Sequence, residues 1–217
     1  FVEFFQKLAN KRRSSNHDNW VSALNYLKNF APEGLKFSDL NEQVCEDFKE
    51  YLLTTKSRKS EKSKLARNSA VSYFNKFKAA LREAHRDKYI DSDLHTRIKG
   101  IKSEDVEREF LDVHELENLI KTPCNNPLLK RAAIFSALTG LRFSDIQKLK
   151  WKEVTSIEGK GYYIRFAQKK TRNRETLPIN LDAFNILTEN GAGSGDVQVF
   201  EGLKYSAYQN KHLYQWI

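Results

Sequence analysis

Apolar residues recur every three or four positions through much of the first hundred residues. Trp20, Ala23, Leu24, Leu27 and Phe30 share one helical face, and Pro32-Glu33-Gly34 stops the run, so residues 1–31 are predicted helical. A second helix is predicted in "FSDLNEQVCEDFKEYLL". Leu40 leads into it, and Val44, Phe48, Tyr51 and Leu52 form its stripe. The periodicity then lapses in "TTKSRKSEKSKLAR", which has six basic residues, one acid and several serines and reads as a polar connection. The third helix, "NSAVSYFNKFKAALREAHRDKYI", is the clearest. Ala70, Tyr73, Phe74, Phe77, Leu81 and Ala84 fall within about a third of its circumference, with Arg67, Lys78, Arg82 and Arg86 along one flank. A short helix or turn follows through residue 98. A compact helical bundle is the expected outcome.

"KGIKSEDVEREF" has no core-forming stripe and marks the expected boundary between two domains, residues 1–103 and 104–217. Beyond it, "LDVHELENLIK" reads as a helix with Asp112 at its cap and Glu115 three residues on. "LLKRAAIFSALTG" is a buried-looking helix ended by Gly140, and "LRFSDIQKLKW" restarts one. The period then changes to that of strands. "GYYIRFAQ" and "ETLPIN" flank the polar turn "KKTRNR", with a shorter strand before them near Val154–Ile157. "LDAFNILTEN" returns to helix, "GAGSG" reads as a flexible loop, and "LKYSAYQNKHLYQWI" begins a last helix. The fold class is therefore mainly α with a small β-sheet (α+β). A helical bundle comes first, then a unit with a three-stranded antiparallel sheet.

Composition narrows the function. The 217 residues are 40% hydrophobic and 30% charged, which suits a packed core and excludes a disordered chain. No apolar run approaches the roughly 18–20 residues that span a bilayer. Cys45 and Cys124 lie far apart and read as small core fillers in a reducing compartment. The chain opens at "FVEFF" and contains no Met, so a fragment that begins inside a longer protein is expected. The net charge is +9, and its spread is uneven. Residues 1–103 carry 21 Lys+Arg against 13 Asp+Glu; residues 104–217 carry 16 against 15. A basic excess in one half is the footprint of a polyanionic partner, and nucleic acid is favoured over membrane.

Two features could carry chemistry. In "ALTGLRFSDIQKLKW", Arg142 follows the helix-ending Gly140 and would sit in the first turn of the next helix. Free backbone N–H groups favour an anion there, and a guanidinium fork matches two phosphate oxygens. Asp145, three residues on, is spaced to orient that fork; an ordinary surface Arg–Asp pair is the plainer reading of the same spacing. The second feature is the turn "QKKTRNRE", where Lys169, Lys170, Arg172 and Arg174 cluster. A lysine at a hairpin tip can enter a DNA groove and protonate a leaving oxygen, although such clusters are commonly solvated turns. His17, His85, His95 and His114 are isolated, and no metal is assigned.

Taken in order, these segments resemble the tyrosine recombinase, or phage-integrase, family. The matching residues are Thr139-Gly140-Leu141-Arg142, Ser144-Asp145-Ile146, Leu149 and Trp151, then Lys170-Thr171 with Leu177-Pro178. The wording "GLRFSDI" and "QKKT" looks most like integrases of mobile elements such as conjugative transposons. The resemblance covers essentially the whole chain. It implies a SAM-like core-binding domain first, then the first part of a catalytic domain.

The resemblance also implies roles. Arg142 would bind the scissile phosphate and stabilise charge on its pentacovalent transition state, and Asp145 would support it. Lys170 would be the general acid for the leaving 5′-hydroxyl, with Lys169 in its place if the register differs by one. Lys56, Arg58, Lys59, Lys62, Lys64 and Arg67 would contact phosphates and Asn68 and Ser69 base edges, while Lys169, Arg172 and Arg174 would add contacts at the hairpin. The two domains would clamp double-stranded DNA, and the full-length protein would act as a homotetramer, without cofactor, in the bacterial cytoplasm at the nucleoid. The chain departs from the family pattern near its end. His212 is followed by Leu213-Tyr214-Gln215, so no His-x-x-Arg motif occurs there. Tyr205, Tyr208 and Tyr214 precede the place of the family's nucleophile. This chain is therefore expected to bind DNA without cleaving it. The rival expectation is a non-catalytic DNA-binding protein on an integrase scaffold.

Overall fold

The structure is a computed structural model that describes residues 1–159, 161–167 and 173–217. The chain divides into two compact units, Phe1–Arg108 and Glu109–Ile217; the sequence boundary at 103/104 falls five residues earlier.

The first unit contains α1 (Val2–Asn10), α2 (Ser14–Phe30), a 3-10 turn (Phe37–Asp39), α3 (Glu42–Thr54), β1 (Lys56–Ser57), β2 (Ser60–Lys64), α4 (Arg67–Arg86) and α5 (Leu94–Arg97). Residues 1–31 are thus two helices rather than one. Lys11-Arg12-Arg13 offers no apolar side chain to continue the stripe, and Arg13 is extended (φ −65°, ψ 153°). Arg12 instead lies 4.4 Å above the Trp20 ring and pairs with Glu83 at 2.8 Å, which the bend allows. The second predicted helix starts at Glu42 rather than at Phe37, where the 3-10 turn lies. Asn41 caps it, its Oδ1 accepting from the Val44 N–H at 2.9 Å.

The polar connection is a small antiparallel hairpin, with Lys56 opposite Lys64 and Ser57 opposite Ser60. Its alternation of serine and lysine has no apolar face to announce a strand. Anchoring comes from outside it: the Arg58 N–H donates to the Tyr26 hydroxyl at 2.9 Å, and the Leu65 side chain is buried. Phe5, Leu24, Leu27, Phe48, Leu52, Phe74, Phe77 and Leu81 form the fully buried centre of this unit. Each such side chain contributes about 1.5–3 kcal/mol relative to exposure.

The second unit contains α6 (Val113–Lys121), α7 (Pro127–Thr139), α8 (Phe143–Ile146), a 3-10 turn (Trp151–Glu153), β3 (Val154–Ile157), β4 (Gly161–Ala167), β5 (Arg174–Ile179), α9 (Leu181–Thr188) and α10 (Ala207–Trp216). The strands form one antiparallel sheet in the order β3-β4-β5, with Val154 opposite Ile164, and Ile164 opposite Leu177. Alternation sorts β4: Ile164 and Phe166 are buried, while Arg165 and Ala167 are exposed. Phe135, Ile146, Leu149, Ile164, Leu187 and Phe200 centre this second core. The cap of α6 is reciprocal, with Glu115 N–H on Asp112 Oδ1 at 2.8 Å and Asp112 N–H on Glu115 Oε2 at 2.9 Å.

The glycine-rich loop is pinned rather than free. The Trp151 N–H donates to Val197 O at 3.0 Å, Lys152 N–H to Gly195 O at 2.9 Å and Val199 N–H to Leu149 O at 2.9 Å. A side chain at Gly193 would place Cβ 2.5 Å from the Trp151 indole, so the ring demands a glycine there. Composition alone does not reveal this, because the partner is an aromatic residue forty positions away.

Candidate nucleic-acid interface

In the second unit, α7 ends at Gly140, which is left-handed at φ 67°, ψ 6°, a conformation that glycine adopts without Cβ strain. Thr139 Oγ1 donates to Phe135 O at 2.6 Å, the Leu141 N–H donates to Thr139 Oγ1 at 3.3 Å, and Ser136 Oγ donates to Leu141 O at 2.8 Å. Leu141 itself is buried. This turn fixes the backbone on which the exposed Arg142 sits. Arg142 is the N-cap of α8 rather than a first-turn residue, with extended dihedrals (φ −70°, ψ 148°). Its carbonyl accepts from the Asp145 N–H at 2.8 Å and the Ile146 N–H at 3.0 Å. α8 is one short turn, so the helix dipole adds little and the guanidinium supplies the local positive charge.

Asp145 is 3% exposed. Its carboxylate meets Lys148 Nζ at 3.4 Å, and the same ammonium donates to the Ala167 carbonyl at the end of β4. Sequence reasoning passed over Lys148, because an i,i+3 Asp–Lys spacing is what a solvated helix face shows and a backbone carbonyl partner leaves no trace in sequence. Arg174 opens β5, opposite Ala167 and exposed. Arg165 stands on the same open face of the sheet, opposite Thr176. Period-two alternation could have paired Arg165 with the hairpin cations. Lys169, Lys170 and Arg172 lie outside the described residues.

In the first unit, the hairpin β1–β2 and the start of α4 border a polar hollow of about 390 Å³. Arg58, Lys59 and Lys64 supply cations to it, and Ser57, Ser63 and Ser69 supply hydroxyls. Tyr26 and Tyr73 stack at 5.3 Å and form part of its wall. Of the candidate contacts, this hollow gathers Arg58, Lys59, Lys64 and Ser69. Lys56 and Lys62 belong to the same exposed hairpin.

Two candidates are turned to another task. Arg67 Nε donates to Lys102 O at 3.0 Å. The Asn68 amide pairs with Glu104 both ways, donating to its carbonyl at 2.9 Å and accepting from its N–H at 3.1 Å. Together they hold residues 102–104 beside α4, so the Asn68 amide has its polar atoms engaged there. Among the described residues, no group of three or more His, Cys, Asp or Glu side chains is arranged to hold a metal ion. Nor is any helix among them long and apolar enough to cross a membrane.

Residues 1–100 match the model of the phage integrase SAM-like domain. The match covers nearly all of the first unit. The whole chain also has the fold of integrases. It is similar to a lambda integrase fragment bound to DNA, with a TM-score of 0.69 at 17% identity over 99% of this chain and 75% of that one. Similarity extends to the lambda integrase tetramer bound to a Holliday junction, with a TM-score of 0.63 at 20% identity over 86% of this chain and 54% of that one. The Tn1549 transposon integrase in complex with transposon right end DNA matches with a TM-score of 0.59 at 16% identity, over 87% of this chain and 63% of that one. This chain therefore spans about half the length of the subunit in the lambda tetramer. At these identities the likeness is one of fold. No curated protein matches the chain by sequence.

Proposed function

We propose that this chain is the DNA-binding and phosphate-activating part of a site-specific recombinase of the tyrosine type, from a mobile element. The observation that carries the reading is Arg142: an exposed arginine on a turn locked by Thr139, Gly140 and Leu141, with the buried Asp145 three residues on in the same short helix. A scissile phosphate held there would gain two charge-assisted hydrogen bonds that strengthen as its oxygens gain charge. The SAM-like domain of the first unit and the integrase fold of the chain support the same reading.

In the proposed reaction, a tyrosine of the parent protein attacks phosphorus and the 5′-oxygen leaves, giving a 3′-phosphotyrosyl bond. Lys170 gives its proton to that 5′-oxygen, with Asp145 supporting Arg142. A 5′-hydroxyl of the partner strand reverses the step, and the covalent link conserves the energy, so no cofactor is needed. Lys56, Arg58, Lys59, Lys62 and Lys64 take backbone phosphates, with one phosphate seated in the hollow beside Tyr26. Ser69 lies at the same rim. Lys169, Arg172 and Arg174 contribute at the hairpin, together with Arg165. Arg67 and Asn68 serve DNA indirectly by holding residues 102–104. The parent protein works as a homotetramer on two DNA sites.

Fluorescence anisotropy with a labelled duplex tests the binding half. Affinity should fall steeply with salt, at about 0.9 in log–log slope per phosphate contact, and Lys59→Ala or Lys64→Ala should each remove about one unit of slope. A flat salt response would remove DNA from the account. A non-catalytic DNA-binding protein predicts the same slope without any covalent adduct, so trapping an adduct separates the two.

A further inference from the structure

We propose that Lys148 is a positioning residue that fixes the root of the β4–β5 hairpin against the Arg142 turn. The inference rests on the recombinase reading for its consequence in catalysis, but not for its geometry. Lys148 carries three N–H donors on one ammonium. One side of it meets Asp145 Oδ1 at 3.4 Å, and another donates to the Ala167 carbonyl. Asp145 lies two residues past Phe143 in α8, with its own N–H on the Arg142 carbonyl at 2.8 Å. Ala167 is the last residue of β4 and faces Arg174 across the hairpin. One side chain thus joins the arginine turn to the strand ends from which residues 168–173 depart.

Burial gives this link its weight. An exposed i,i+3 ion pair contributes little, because water competes for both partners. Here the carboxylate is nearly sealed from solvent at 3% residue exposure. Water therefore competes little at the carboxylate end of the pair, although the Lys148 side chain itself is 38% exposed. A lysine that bridges a buried charge and a strand-end carbonyl ties the strand end to the arginine turn. Among the described residues, Arg165, Arg174, Glu175 and Glu153 border the same strand ends, while Phe166 turns into the core.

Lys148→Met keeps the aliphatic stem and removes the donors. In this chain, hydrogen exchange should speed up about tenfold or more at Phe166, Ala167, Arg174 and Glu175, with α4 unchanged. In the parent protein on nicked duplex, the rate of covalent adduct formation at saturating DNA should fall on the order of tenfold to a hundredfold, because an ångström of misplacement is enough. The half-saturating DNA concentration should move less than about threefold, since most of the proposed phosphate contacts lie in the first unit. Lys148→Arg, which keeps charge and donors, should restore most of both. Unchanged exchange in Lys148→Met overturns the proposal, and so does faster exchange with a full strand-transfer rate. If Lys148→Met does not fold, the Asp145→Asn/Lys148→Met pair removes both charges of the ion pair and carries the same exchange test. If the wild-type parent forms no adduct, the recombinase reading fails by itself. The exchange result then still decides whether Lys148 holds the hairpin.

Discussion

Single side chains set the geometry of the second unit, and two of them give direct tests. Gly193→Ala would drive a methyl into the Trp151 ring 2.5 Å away, a contact that must be relieved by moving the loop or the indole. Urea denaturation should show a loss of about 1–3 kcal/mol, against almost nothing for Gly100→Ala, where the space is open. Asp196 accepts from Lys150 Nζ and Lys152 Nζ, both at 2.7 Å, and these two hydrogen bonds pull its carboxyl from 3.8 down to about 2. A depressed acid stabilises the fold above its unfolded value, and that contribution fades as pH falls from 3.8 through about 2. Carbon-detected NMR should place the Asp196 midpoint near 2, and Lys150→Met/Lys152→Met should return it toward 3.8. The turn that carries Arg142 was legible from Thr139, Gly140 and Leu141, because a helix stop of this kind needs a glycine at the left-handed position. Lys148 was not, because its decisive partner is a backbone carbonyl that any residue could present.

Among the elements, the helices were readable and the first hairpin was not. The stripe of Ala70, Phe74, Phe77, Leu81 and Ala84 is buried along α4 as the spacing required. Antiparallel pairing of β4 with β5 followed from alternation, and Asp112 with Glu115 capped α6. The β1–β2 hairpin has no apolar alternation, and its order depends on Tyr26, thirty residues upstream. That dependence is measurable. Tyr26→Phe removes the acceptor for the Arg58 N–H at a cost of about 1 kcal/mol, since the donor is half-covered. Exchange at Arg58 should accelerate, and duplex affinity should fall several-fold as Arg58, Lys59 and Lys64 lose their common frame. A Tyr26→Phe variant with wild-type affinity would show that the hairpin binds DNA without needing order. The break between α1 and α2 was likewise hidden. Residues 1–31 read as helical because Arg12 looks solvated in sequence, whereas its planar cation stacks on Trp20 and pairs with Glu83.

At the level of the molecule, each unit encloses its own core, one around Phe48, Phe74 and Phe77, the other around Phe135, Ile164 and Phe200. Residues 1–108 should therefore fold when expressed alone, with a cooperative melt, and bind duplex DNA with most of the salt dependence of the whole chain. The charge asymmetry, read directly from the sequence, already assigns most of the net positive charge to that part. In the proposed recombinase the second unit would add chemistry at one phosphate. The most direct test of that proposal is trapping of the parent protein on a nicked recombination site, where the cut strand diffuses away and leaves the covalent intermediate. The wild type should form a 3′-phosphotyrosyl adduct, and Arg142→Ala should slow its formation by about a hundredfold or more while duplex binding stays within a few-fold. An adduct that forms at the full rate without the Arg142 guanidinium would contradict the account.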